Sequence, residues 1–224
     1  MPHSITTALF GARAINTDAR YMTWLLDFLA SLGLDIEALA KQNKIKAAQL
    51  ANPDSAITAD QHRGILRDAL LASKDTGLGL RIGLHRSMAT LDQLAYLMMS
   101  SATLRESTSV GLRYQNYSGR FSGGQIVTSF SERDGEGCYQ IQAHESLGEL
   151  RLLAVEDVLA NIVTSSRWVL GKNLPTTRLL CDYPAPPHAG LYETVFNCPI
   201  RFDSAVTELF FDAAVLDQPL PQAS

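Results

Sequence analysis

Apolar side chains in the first half of the chain recur at the three- and four-residue spacing of one helix face. The first stripe begins after Asp18 and stops at Gly33, a common residue just past a helix C-terminus. Asp35 then predicts the N-cap of a short helix, and Thr58 with Gln61 has the Thr-x-x-Gln pattern of a capping box. We therefore predict that the first half of the chain contains helices only.

Residues 90–117 predict two helices joined by a tight polar corner. The helical spacing of apolar positions is interrupted at Ser100 and Ser101. Thr103 and Glu106 then form a Thr-x-x-Glu capping box, which predicts the start of the next helix. The apolar positions before the corner are Leu91, Leu94, Ala95, Met98 and Met99.

The second half of the chain changes to the alternating pattern of β-strands. Residues 125–130 and 138–143 flank a turn rich in Asp and Gly, which predicts a β-hairpin. Ser146 and Glu149 predict the capping box of the longest helix, which ends at Gly171. Because this helix is apolar on most sides, we expect it to be buried across a sheet. The remaining predicted elements are strands at 176–183, 200–202 and 208–211 and a short helix around 191–195.

This order of elements predicts the α+β class. A helical N-terminal half is expected to pack beside a mainly antiparallel four- to five-stranded sheet crossed by one long helix. Residues 1–17 have no sustained period and are predicted to form an irregular arm. Residues 18–220 are predicted to form one domain, with the helical half at 18–119 and the sheet and long helix at 121–212.

Composition and charge exclude several classes of partner. Hydrophobic residues make up 46% of the 224 residues, and no apolar run approaches the ~20 residues needed to cross a bilayer. The net charge is −4 and neither sign is gathered into a run, so the chain alone is expected to bind DNA poorly. The three widely spaced cysteines, Cys138, Cys181 and Cys198, fit buried thiols in a reduced cytoplasm.

The sequence gives little support for metal or nucleophilic chemistry. Spacings typical of metal sites, such as Cys-x-x-Cys, are absent from the sequence, and we predict neither a metal nor a cofactor. Cys138 and His144 lie six residues apart on one predicted strand. Extended chain of that length spans about 20 Å, which is too far for a nucleophile and its base. We therefore predict no catalytic residue and no enzyme activity.

Two other patterns suggest chemistry but have simpler interpretations. The glycines at 77, 79 and 83 follow a helix rather than a strand, which favours a helix stop and restart over a phosphate-binding loop. The neighbouring carboxylates Glu156 and Asp157 are predicted to be solvated on a helix surface.

A ligand pocket remains the most plausible kind of site. Such pockets are mostly apolar with a few placed polar groups, and they favour junctions between substructures. We expect one at the seam of the helical half, the sheet and the long helix. Aromatic and histidine side chains at such positions are more often core residues with one satisfied hydrogen bond, and this is the alternative for each candidate. The candidates for ligand binding are Tyr114, Tyr117, Tyr139, Gln142, His144, Arg167 and Trp168.

The segment 90–117 resembles part of one protein family. In the N-terminal regulatory domain of AraC-type transcription regulators, a helix ending in Tyr-x-Leu/Met-x-Ser-Ser runs into x-Thr-Leu-x-Glu and then a helix ending near an Arg-Tyr pair. The matching positions here are Tyr96, Leu97, Met98, Ser100, Ser101, Thr103, Leu104, Glu106, Arg113 and Tyr114. Motifs at 32–35, 76–83 and 196–202 extend the resemblance over roughly residues 17–220. The chain is thus similar to the arabinose-binding-domain-like branch of the AraC/XylS family.

The resemblance implies a cytoplasmic bacterial domain that senses an effector and forms a homodimer. In that family a C-terminal helix-turn-helix domain binds DNA, and residues 216–224 are expected to begin the linker to such a domain, which is missing here. The expected partners are a small-molecule effector and a second copy of the chain, with DNA bound only through the missing domain and no membrane association. A ligand-free protein-interaction or dimerisation module is the alternative.

Overall fold

The computed structural model describes residues 17–53, 55–86, 93–118 and 125–222, and of residues 18, 93 and 114–118 it describes the backbone alone. The predicted arm at 1–17 lies outside this part of the chain, except for Thr17. The helices of the first half, as the structure describes it, are α1 Ala19–Ser31, α2 Ile36–Gln42, α3 Ala47–Ala51, α4 Ala59–Ser73, α5 Leu78–His85, α6 Gln93–Met99 and α7 Leu104–Ser118.

The predicted caps hold the helices of this half in place. Asp35 accepts a hydrogen bond from the amide of Ala38 at 3.0 Å. Thr58 and Gln61 exchange the two bonds of a capping box, the amide of each donating to the side chain of the other. The predicted N-cap at Asp35 and the predicted capping box of Thr58 and Gln61 are both present.

The prediction that the first half contains helices only is wrong in one detail. Strand β1, Thr17–Asp18, pairs antiparallel with β2, Ala56–Ile57, and the two form a small separate sheet. Strands of two residues are too short to show an alternating pattern, so the sequence carries no signal for them.

The second half builds a five-stranded sheet, as predicted. Its spatial order is β3-β4-β7-β5-β6, and the neighbours are antiparallel except for the parallel pair β5 and β6. The hairpin strands are longer than predicted because a two-residue turn at Asp134 and Gly135, both at positive φ, joins them directly. The strand bounds are β3 Ile126–Arg133, β4 Glu136–Ala143, β5 Thr176–Leu180, β6 Ile200–Arg201 and β7 Thr207–Asp212. The predicted α+β class is confirmed.

Helix α8, Arg151–Leu170, is the predicted long helix, and it ends at Gly171 as expected. The prediction that it begins at a capping box of Ser146 and Glu149 is wrong. A 3₁₀ turn at Glu145–Leu150 precedes it, and Gly148 within that turn has φ 52°, which a continuous helix cannot contain. A short helix α9, Gly190–Phe196, lies at the predicted position.

Helix α8 contributes to both hydrophobic cores. On one side its residues pack with the inner face of the sheet in a core that includes Tyr139, Ile141, Leu159, Leu179, Leu209 and Phe211. On the other side they join the core of the helical half, which includes Leu25, Leu29, Ile65, Leu78, Ile82 and Leu153. Burial on both sides explains why its apolar residues surround most of its circumference.

Helices α5 and α8 approach each other unusually closely through Gly79 and Gly83. A Cβ atom on Gly79 would overlap the carbonyl oxygen of Leu153, and one on Gly83 would overlap that of Asp157. The glycines at 77–83 therefore do more than stop and restart a helix. Gly77 is the residue before α5, whereas the other two remove the side chains that would separate the helices.

The prediction that Glu156 and Asp157 are solvated is wrong, because both are buried at this helix contact. Asp157 pairs with Arg86 at the end of α5, and their side chains are only 6% and 1% exposed. The Arg86 guanidinium also lies 4.9 Å from the centre of the Tyr21 ring on α1. The ion pair thus fastens α8 to the helical half.

Glu156 makes a second set of buried contacts. Its carboxylate accepts hydrogen bonds from Tyr192 at 2.6 Å and lies 2.5 Å from His188 Nε2. The other ring nitrogen of His188 is 2.9 Å from the hydroxyl of Thr76, just before α5. Burial raises the pKa of Glu156, an effect that the bonds from Tyr192 and His188 oppose. This network connects α8, α9 and the helical half.

His62 on α4 is another buried titratable group. It is 3% exposed, its Nδ1 lies 3.3 Å from the hydroxyl of Thr17, and the Tyr21 ring meets it edge-on. Burial, helped by the positive charges of Arg86 and Arg63, lowers the pKa of His62 from 6.5 to about 4. The folded protein therefore holds this histidine in its neutral form.

Acidification is expected to weaken the fold through His62. Between pH 6.5 and 4 the unfolded chain binds a proton that the folded chain does not, so stability falls as the pH falls. Lowering the pH from 7 to 4.5 should cost about 2 kcal/mol at this site. Urea unfolding of wild type and of His62→Gln across this range measures the difference in slope.

The control for that experiment is Leu71→Ala, at a residue of α4 that does not titrate and is 67% exposed. We expect Leu71→Ala to keep the wild-type slope and His62→Gln to flatten it. Equal slopes for wild type and His62→Gln would contradict the assignment.

Candidate ligand cavity

A cavity lies between the α6–α7 helix pair, strand β4 and the second half of α8. Its volume is about 60 Å³, counted as the space open to the centres of water molecules. Much of its wall is apolar, and the apolar side chains are Leu94, Met98, Leu104, Leu112, Ile162 and Val169. This position matches the predicted seam between the helical half, the sheet and the long helix.

The corner between α6 and α7 fixes one wall of the cavity. The amide of Glu106 donates to Thr103 Oγ1 at 3.3 Å, and the Glu106 carboxylate accepts from the amide of Ala102 at 2.8 Å. Ser101 closes the end of α6 by donating to the carbonyl of Leu97. The predicted polar corner is therefore present, and it turns the buried face of α7 towards α8.

Polar groups of the cavity come from three elements. The hydroxyls of Thr108 on α7 and Tyr139 on β4 are 2.8 Å apart, and Ser166 on α8 also lines the cavity. Burial raises the pKa of Tyr139 to about 12, so its phenol stays neutral. The remaining polar lining residues are Ser107, Asn161 and Ser165.

Ser107 differs from these hydroxyls because its side chain has no hydrogen-bond partner among the described residues. Its side chain is fully buried, and its Oγ makes no hydrogen bond within the part of the chain that the structure describes. By contrast, Ser165 Oγ donates to the backbone carbonyl of Asn161 at 2.7 Å. A buried hydroxyl without a partner costs about 1–3 kcal/mol, and a ligand in the cavity would remove that cost.

The last described segment of the chain is tied to the start of α7. Arg105 donates to both carboxylate oxygens of Asp217, at 2.7 and 2.8 Å, and its amide donates to the carbonyl of Leu216. The amide of Leu220 in turn donates to the carbonyl of Ala102 at 3.1 Å. A change in the position of α7 would therefore move this segment.

The structure separates the seven predicted ligand-binding residues. Tyr139 lines the cavity. Tyr114 and Tyr117 are in the last turns of α7, and their side chains lie outside the described part of the structure. Ligand binding by these three residues stays a prediction.

The other four predicted residues are not among the described lining residues of the cavity. Gln142 donates to Gln140 within the sheet, and His144 caps the turn before α8 by accepting from the amide of Ser146. Arg167 and Trp168 are exposed on α8, Trp168 at 56%. Their role in ligand binding remains untested.

Sequence reasoning missed the small hydroxyl residues of the cavity. Ser107 and Thr108 on α7 and Ser165 and Ser166 on α8 each form an adjacent pair, and such pairs usually mark exposed helix surface. The available signal was the spacing of Leu104, Thr108 and Gly111, which places them on the same face of α7.

The described residues offer little for other kinds of chemistry. Among them there is no group of three His, Cys, Asp or Glu side chains that could hold a metal ion. Burial raises the pKa of the Cys138 thiol to about 11 and that of Cys181 to about 12, which makes both poor nucleophiles at neutral pH. Within the same residues, no helix has the length and apolar character needed to span a bilayer.

The sequence places the chain among the regulatory domains of bacterial transcription regulators. The family described as "Arabinose-binding domain of AraC transcription regulator, N-term" matches residues 33–220, and the chain belongs to this family. The family resemblance inferred from the helix corner and the other motifs is thereby confirmed. The family is one of transcription regulator domains rather than of enzymes.

Relatives and a solved structure agree with this assignment. The ornithine utilization regulator of Pseudomonas aeruginosa is 24% identical over 206 residues, which cover 91% of this chain and 59% of the relative. An uncharacterized HTH-type transcriptional regulator of Mycobacterium tuberculosis is 24% identical over 187 residues, covering 80% of this chain and 52% of the relative. The chain thus spans between half and three fifths of the length of these relatives.

The crystal structure of the transcriptional regulator CdpR from Pseudomonas aeruginosa has a similar fold. The TM-score is 0.58 at 14% sequence identity, over 84% of this chain and 56% of that one. At this identity the similarity shows the fold alone.

Proposed function

We propose that this chain is the effector-sensing and dimerisation domain of a cytoplasmic bacterial AraC-type regulator. A small metabolite would bind in the cavity and control DNA binding by a C-terminal domain that lies beyond this chain. Residues 18–220 would act as one regulatory domain, and residues 216–224 would begin the linker. Control of this kind requires that the metabolite bind two arrangements of the protein with different affinity.

The cavity with its unpartnered Ser107 is the observation that carries this proposal. Partly apolar pockets with a few placed polar groups are typical of small-molecule sites. A buried hydroxyl that lacks a hydrogen bond inside the domain gains one when a polar ligand binds. The ion pair between Arg105 on α7 and Asp217 supports the proposal that a change at the cavity is transmitted to the linker.

Exposed apolar side chains support the dimerisation part of the proposal. Tyr96 and Leu97 on α6 are 74% and 55% exposed, and Trp168 on α8 is 56% exposed. Contiguous apolar patches on a surface mark contact with other proteins, and Tyr96 and Leu97 are neighbours on α6. They would equally serve a ligand-free interaction module, and the cavity is what favours the sensor.

A thermal-shift screen against a metabolite library tests the proposal. At least one compound is expected to raise the melting temperature, with a shift that grows with ligand concentration by mass action. The name of the Pseudomonas aeruginosa relative makes ornithine one compound to include. Gly111→Leu should abolish the shift, because its side chain would enter the cavity beside Met98.

The control for that variant is Gly190→Ala, at a position where an added Cβ meets nothing within 4 Å. It should respond to ligands as wild type does. A library that shifts neither wild type nor control would contradict the sensor proposal and favour the interaction module.

Removing the tie between α7 and the linker segment is expected to loosen that segment alone. In Arg105→Ala, amide hydrogen exchange at Leu220 should be faster by a factor of about 2 to 5, with little change in melting temperature. Arg63→Ala, which removes a surface ion pair on α4, is the control and should leave Leu220 unchanged. Equal exchange rates in Arg105→Ala and wild type would show that the contact does not hold the segment.

A further inference from the structure

The described lining of the cavity is electrically neutral. Its polar groups are hydroxyls and one side-chain amide, and none of its described side chains is acidic or basic. Tyr139, the one phenol among them, has a pKa of about 12 and keeps its proton at any physiological pH. The described lining residues therefore offer hydrogen bonds without a counter-charge.

The buried charges of α8 do not change this conclusion. Asp157 is paired with Arg86, and Glu156 with His188 and Tyr192. None of the five lines the cavity. Arg167, the nearest basic residue along α8, is exposed on the outside of the helix.

An ionised ligand group would lose its hydration on entry without gaining an ionic partner. The effective cost of burying an unpaired carboxylate or ammonium group in a protein is several kcal/mol. A hydroxyl, amide or ester carbonyl loses far less and can regain a hydrogen bond. The cavity is thus selective by charge as well as by shape.

Ser107 and its neighbours indicate how many polar groups the ligand carries. The Ser107 hydroxyl can donate one hydrogen bond and accept others, and it makes none within the described part of the chain. The Thr108 and Tyr139 hydroxyls bond to each other, which uses one of their two protons, so the pair retains one donor together with acceptor capacity. One carbonyl or hydroxyl group on the ligand would be enough to satisfy Ser107.

The volume limits the size of the ligand. The centres of only a few water molecules fit into 60 Å³, so the cavity suits a small organic molecule.

We infer that the cavity binds a small uncharged molecule with an apolar body and one amide, hydroxyl or ester group that bonds to Ser107. This inference deepens the proposed sensor function and depends on it. It excludes free carboxylic acids, amines and zwitterionic amino acids as occupants of this cavity.

Compounds matched in skeleton and different in charge test the inference. Pentanamide, 1-pentanol and methyl butanoate are the neutral probes, and pentanoate, pentylamine and norvaline are their charged counterparts. Calorimetric titration of the 224-residue chain at pH 7.5 gives the affinities. We expect at least one neutral probe to bind, and to bind at least 100-fold more tightly than any charged counterpart.

Two variants connect binding to the cavity. Ser107→Ala should weaken the neutral probe about 3- to 10-fold, as expected for one lost hydrogen bond, without lowering the melting temperature of the free protein. Ser31→Ala is the control, because that hydroxyl donates to the backbone carbonyl of Phe28 and Ser31 is not among the lining residues of the cavity, and it should bind as wild type does. Gly111→Leu should abolish binding.

The possible failures are distinguishable. If a charged probe binds more tightly than its neutral counterpart, the inference is overturned while the sensor function stands. Undiminished binding in Gly111→Leu would place the ligand elsewhere and would also overturn the inference. If neither these probes nor the metabolite library bind, the proposed sensor function fails, and the inference fails with it.

Discussion

Asp157→Ala is expected to lower the free energy of unfolding by about 3–5 kcal/mol at pH 7. The substitution leaves the Arg86 guanidinium, 1% exposed, without its anionic partner in the interior. Arg86 cannot become neutral by losing its proton, because the pKa of a guanidinium group is too high. The folded state must then bury a positive charge that has lost its carboxylate partner, whereas the unfolded state solvates that charge in water.

Urea unfolding of wild type and variant measures this loss. Asp60→Ala removes a surface ion pair with Arg63, whose side chains are 88% and 38% exposed, and is expected to cost no more than about 1 kcal/mol. The double variant Arg86→Met with Asp157→Ala should recover part of the stability, since no charge remains buried. A loss below about 1 kcal/mol for Asp157→Ala would contradict the buried pair.

Gly83→Ala is expected to lower the free energy of unfolding by about 2–3 kcal/mol. In a helix with free space at this position, the same change would raise the free energy of unfolding by up to about 1 kcal/mol. The direction of the change therefore shows whether α5 and α8 are in close contact. Here the added methyl group would meet the Asp157 carbonyl, the Ala160 Cβ and the Asn161 amide. These atoms belong to the α8 backbone or to a methyl fixed on it, so they cannot rotate away.

Gly190→Ala is the control for Gly83→Ala. Gly190 begins α9, and an added Cβ there has open space, so a change of about 0.5 kcal/mol or less is expected. Chemical unfolding of both variants gives the comparison. Stabilisation by Gly83→Ala would show that α5 and α8 are farther apart than the structure indicates.

The sequence predicted those elements whose signals are local. The capping residues Asp35, Thr58 and Thr103 lie within four residues of the groups they bond, so the corner between α6 and α7 and the start of α4 could be inferred. The start of α8 could not, because Ser146 and Glu149 imitate a capping box while Gly148 breaks the helix between them.

The buried charges were missed because their partners are distant in sequence. Arg86 is 71 residues from Asp157, and His188 is 32 residues from Glu156. Two adjacent carboxylates on a helix are usually solvated, and nothing nearby in the chain indicates otherwise. Tyr139 could be predicted as a cavity residue because it is an aromatic residue with a polar group. Ser107 could not, because its position in the cavity depends on which face of α7 packs against α8, and no local sequence pattern indicates that.

The absence of side chains between α5 and α8 has a mechanical consequence. Two helices whose backbones touch at Gly79 and Gly83 cannot slide or rotate against each other without a collision of main-chain atoms. Helices α1–α5, α8 and the sheet are therefore expected to behave as a single rigid frame. A movement in response to a bound ligand would then involve α6 and α7. The contact between these helices is less rigid, because a Cβ atom on Gly111 would meet the flexible thioether of Met98. Helices α6 and α7 would then move together relative to the rest of the domain.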